Sequence, residues 1–107
     1  MQGIEAAEFD LIVSDALDTI PASLMDQVDN VAVVVEDEPD GDDPELLGVY
    51  DGVALTERDH GWGGELPDRI VIYRGPLTRL CDDRQELIDE ITITVVHEIA
   101  HHFGIDE

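Results

Sequence analysis

The chain has 107 residues, enough for one modest hydrophobic core, and reads as a single domain over 1–107. Its 27 acidic residues face five arginines and no lysine, a net charge of −22, while 43% of the residues are hydrophobic. Such a charge repels nucleic-acid phosphates and anionic membranes, which argues against both as partners; it reads first as solubility or adaptation to a salty host, with steering of cationic peptides or metal ions toward a site as the alternative.

No apolar stretch is long enough to cross a bilayer, and Met1 to Glu5 lacks the basic region and apolar run of a secretory signal. Cys81 stands alone, so no intrachain disulfide forms, and a lone thiol suits a reducing compartment as a small buried hydrophobe. The expectation is a soluble cytoplasmic protein.

Phe9, Ile12, Val13, Ala16, Leu17 and Ile20 recur at helical spacing with aspartates between them, which predicts an amphipathic helix stopped near Pro21. Val31 to Val35 is a β-branched run and predicts a buried strand. Glu36 to Glu45 is an acidic stretch with two prolines and a glycine. It lacks the spacing of an EF-hand loop and reads as a solvated connection. A second strand lies within Leu46 to Thr56, where Gly48 and Gly52 point to a bulge or an edge. His60 to Gly64 is a glycine-rich loop around Trp62, in which His60 reads as a solvent-facing residue. Arg69 to Tyr73 predicts a third strand, ended by Gly75-Pro76.

From Asp82 onward two signals compete. Asp83 and Glu86 fit a capping box, followed by apolar residues at Leu87, Ile88, Ile91, Val95, Ile99 and Phe103. Yet Ile91 to Val96 is an unbroken run of β-branched residues, which favours a strand. The cap decides for a helix, and a fully buried central helix would account for the β-branched run. The predicted order is α-β-β-β-α: an α/β (α+β) fold with a small mixed sheet packed on the last helix.

That helix carries His97-Glu98-Ile99-Ala100-His101, the pattern H-E-x-x-H. Two histidines four residues apart project from nearly one helix face and can share one tetrahedral zinc ion. Glu98 sits beside the first of them, placed to act as general base on a water at the metal. His102 points about 100° away from His101 and reads as a supporting or surface residue. Gly104 supplies a helix stop, after which the chain can turn back with a third ligand. Glu107 and Asp106 are both placed to provide it.

With these residues in view, the sequence resembles the minimal-zincin family of small bacterial zincin-like metallopeptidases. The resemblance runs through Leu46 to Arg58, Leu66 to Ile70, Tyr73 to Leu77 and Val96 to Asp106. It implies a zinc-dependent peptidase using one Zn2+ ion, with an edge strand that aligns a peptide or protein substrate along Val49, Tyr50, Asp51, Gly52 and Val53. The ending is also similar to the metzincin pattern H-E-x-x-H-x-x-G-x-x-H, whose last position falls on Glu107; no methionine of a Met-turn follows. By that register Glu107 is the third ligand, with Asp106 the alternative. The family continues past this point in a short helical tail, whereas this sequence ends at Glu107.

Two other readings stay open. A metal-dependent endoribonuclease would use a related histidine pattern, but Glu98 and the charge argue against it. A catalytically silent metal-binding or interaction module would need only the ligands.

Overall fold

In the computed structural model, residues 3–26, 31–52 and 68–102 are described, with only the backbone of His102. The first helix, α1 (Ala6–Asp18), buries Phe9, Ile12, Val13 and Ala16, the stripe its spacing predicts. Thr19 closes it by donating from its hydroxyl to the Ala16 carbonyl at 2.7 Å. One short turn, α2 (Ala22–Met25), follows Pro21, whose fixed φ suits a helix entry.

Three strands form the sheet among the described residues: β1 (Val31–Glu36), β2 (Gly48–Asp51) and β3 (Asp68–Tyr73), in the order β1-β3-β2. β1 runs parallel to β3 and β2 antiparallel to it, so the sheet is mixed. Both registers run without a bulge, from Val31 opposite Asp68 to Glu36 opposite Tyr73, and from Gly48 opposite Ile72 to Asp51 opposite Arg69. β3 is central and buried at every position but Arg69. β1 is only half-buried through Val31 to Val35, not the buried strand its composition predicts. Among the described residues it lies at the sheet margin with β3 as its one neighbour, which accounts for the difference.

After β3 the chain enters α3 (Arg74–Leu80), where Gly75-Pro76 was expected only to end a strand. Pro76 is the third residue of this helix. Amides in the first turn have no intrahelical acceptor, so a proline there forfeits no hydrogen bond. The observed order therefore inserts α2 and α3 into the predicted α-β-β-β-α.

The last helix, α4 (Arg84–His102), begins as its capping residues predict. The Glu86 amide donates to the Asp83 carboxylate at 2.8 Å, and the Glu86 carboxylate accepts from the Asp82 amide at 3.0 Å. Leu87, Ile88, Ile91, Val95 and Ile99 then join Ile70 and Ile72 of β3 and the stripe of α1 in one core. The β-branched run is therefore helical, but α4 is not buried all round: Ile93 is 62% exposed and Val96 39%. The helix lies between α1 and the sheet, which leaves one of its faces outward. Thr92 ties it to α1, its hydroxyl 3.1 Å from that of Thr19.

Candidate metal centre

α4 is held to the sheet through a glycine. A Cβ at Gly48 would lie 2.6 Å from Thr94 Cγ2 and 2.9 Å from the Val71 carbonyl oxygen, so only glycine lets this helix seat on β2. Thr94 is three residues before His97 and seven before His101, which puts the contact within one turn of the first candidate ligand and two of the second. At Gly52 a Cβ would come 2.5 Å from the Asp68 carboxyl. Both glycines thus make room for the protein's own side chains.

One turn beyond Thr94, α4 brings His97, Glu98 and His101 together, with one ligand atom from each inside a span of 4.8 Å. His97 is exposed and His101 half-buried, while Glu98 is buried at 5% exposure. The two imidazoles meet edge to face with centroids 4.8 Å apart. Glu98 Oε1 lies 2.9 Å from His101 Nδ1, yet the alignment makes no hydrogen bond and leaves this buried oxygen without a partner. Nδ1 of His101 faces the carboxylate, so Nε2 is the nitrogen turned away from it.

No described arginine relieves Glu98. Arg69 pairs with Asp51 at 2.5 Å, Arg74 with Asp37 at 2.6 Å, Arg79 with Glu38 at 3.0 Å, and Arg84 with Asp15. Arg74 and Arg79 pin the acidic loop to α3, Arg79 also donating to the Pro44 carbonyl at 2.9 Å. The hydrogen bond from Arg79 holds the Glu38 carboxyl below its ordinary range. A buried carboxylate costs several kcal/mol, on the order of the penalty for any unpaired buried ion, unless a cation compensates it. Two imidazoles and an orphaned carboxylate oxygen are the donor set that a zinc ion with an attached water satisfies, so the residues fit this metal.

β2 provides Val49, Tyr50 and Asp51 beside α4, with one hydrogen-bonded neighbour strand among the described residues, and Gly52 follows its end. The Tyr50 hydroxyl donates to Asp68, a buried acid that sequence reading passes over because it precedes the strand's apolar run. Val53, His60, Trp62, Gly104 and both candidate third ligands, Asp106 and Glu107, lie outside the described residues. Cys81 is buried in the core, where desolvation pushes its thiol up and away from thiolate chemistry.

The family model for zincin-like metallopeptidases matches residues 28–107. The chain belongs to this family. The match takes in β1 to α4 and the His97-Glu98-His101 cluster. A solved structure with the same fold is a conserved hypothetical protein from Thermo thermophilus; it is 21% identical, with a TM-score of 0.66 and 94% of each chain covered. No curated protein matches the chain significantly. Among the described residues no helix is long and apolar enough to cross a membrane.

Proposed function

We propose that this member of the zincin-like metallopeptidases is a zinc-dependent hydrolase of peptide bonds, with Glu98 as general base. The observation that carries the reading is the buried, unpartnered Glu98 oxygen beside two histidines one helical turn apart. His97 and His101 would hold the metal, and by register Glu107 would be the third protein ligand, with Asp106 as the alternative. When bound, zinc polarises the scissile carbonyl and brings the pKa of its water to about 7. Glu98 would take a proton from the attacking water and deliver it to the leaving amine. Its burial removes competing solvent from the carboxylate and strengthens its interaction with a proton donor.

The substrate strand would add by β-augmentation to the side of β2 that carries no strand among the described residues, along Val49, Tyr50 and Asp51 and on toward Gly52 and Val53. The net charge of −22 favours cationic peptides and opposes RNA, which sets the endoribonuclease reading aside. The lone buried thiol suits a cytoplasmic setting.

Cleavage of a mixed peptide library by zinc-loaded protein, stopped by a chelator and restored by zinc, is the expected result. Glu98→Gln should keep the metal and lose turnover by about 10²–10⁴-fold. A zinc-loaded Glu98→Gln protein as active as the original removes the general-base assignment. Zinc binding with no cleavage of any peptide would leave the silent binding module in its place.

A further inference from the structure

One face of α4 changes character on its way to the metal centre. Asp89, Glu90, Ile93, Val96 and His97 fall within an arc of about 120° when each residue turns by 100°. Asp89 is exposed and Glu90 half-buried; Ile93 and Val96 follow at 62% and 39% exposure, and His97 ends the series. Scattered exposed apolar residues are ordinary on protein surfaces. These two lie one turn apart and directly before a candidate metal ligand, in a helix whose other apolar side chains from Leu87 to Ile99 are buried.

We infer that this face reads the substrate. The inference rests on the proposed hydrolase and adds the substrate class: a peptide with an apolar side chain next to the scissile bond and basic residues farther out on the same side. The spacing sets the order. Ile93 lies about 6 Å along the helix axis from His97, and Asp89 and Glu90 about 10–12 Å. An extended peptide advances about 3.3 Å per residue, so the apolar side chain falls one or two residues from the cut and the basic ones three or four. The occupant's charge follows from the acids at the far end of the face and from the excess of 27 acids over five arginines. The four described arginines are already paired elsewhere, so none competes for Asp89 or Glu90.

Binding tests this separately from turnover. Zinc-loaded Glu98→Gln protein is titrated against three fluorescein-labelled peptides by anisotropy. The first has a central Leu with Arg about two positions away on either side, the second has Ser for that Leu, and the third has Glu for each Arg. The first should bind about tenfold more tightly than the second, the scale of one apolar contact in recognition, and also more tightly than the third, whose acids meet like charge. Adding Ile93→Ser and Val96→Ser, both at exposed positions that leave the core intact, should abolish the preference for Leu and keep that for Arg. Equal binding of the three peptides, or a Leu preference untouched by the two substitutions, overturns the inference. Chelator-sensitive cleavage by the unmutated protein is read in parallel. Its absence beside an intact binding preference defeats the hydrolase and leaves the recognition face standing.

Discussion

At the scale of single residues the centre depends on a division of exposure. His97 faces solvent, from which a metal arrives, whereas Glu98 is buried and its Oε1 has no partner. Replacing His97 removes a ligand and little packing, so His97→Ala should fold normally and lose zinc affinity. Changes to residues that only orient a ligand cost about 10–100-fold in affinity, so loss of the ligand itself should exceed that. His101→Ala should behave alike, read as zinc per chain by metal analysis after dialysis. Full zinc content in either variant would place the metal elsewhere. The same measurement on Glu107→Ala and Asp106→Ala distinguishes the two third-ligand candidates. A large loss for Asp106→Ala and none for Glu107→Ala would reverse the assignment to Glu107.

Among the elements, the seating of α4 on β2 is the contact the site depends on. Gly48→Ala puts a methyl 2.6 Å from Thr94 Cγ2 and 2.9 Å from a backbone carbonyl, and the latter cannot swing away. Overpacking of this kind costs about 1–3 kcal/mol, so denaturant unfolding should show that loss of stability. Thr94→Ser in the same chain removes the nearer clash and should recover part of it. Unchanged stability of Gly48→Ala would mean that β2 and α4 separate more readily than their contact implies. The sequence made much of this architecture legible. The Asp83 and Glu86 cap outweighed six β-branched residues, because a cap acts locally while β propensity largely reflects packing on a sheet. Three features were beyond it. α3 starts where a Gly-Pro pair reads as a stop, since the pair does not reveal on which side of a boundary it falls. The half-burial of β1 depends on strand order, which hydrophobic runs do not encode. The exposure of Ile93 and Val96 depends on which helix face α1 and the sheet leave open. The clustering of the two histidines with Glu98 was legible because spacing along one helix sets it, whereas Asp68 joins Tyr50 only across two strands.

For the whole molecule the charge sets the conditions under which this site works. The net charge of −22 is carried by a fold with a radius of gyration of 14.1 Å. Two like charges 20 Å apart in water repel by about 0.2 kcal/mol, and a net charge of this size contains many such pairs. An unfolded chain of this length has a radius of gyration of about 30 Å, so unfolding relieves part of the repulsion. Against it stand four arginine ion pairs among the described residues, three of them with side chains about half exposed, of a kind that contributes about 0–1 kcal/mol each. Salt weakens both terms, and the larger one decides the sign. Raising NaCl from about 10 mM to 200 mM shortens the screening length from about 30 Å to below 10 Å. The thermal midpoint of the metal-free protein should therefore rise over this range, before salting-out of apolar surface dominates at molar concentrations. Binding of the Arg-bearing peptide should weaken over the same interval, because that attraction is screened as well. A falling midpoint would show that the arginine pairs stabilise the fold more than the acidic surface strains it.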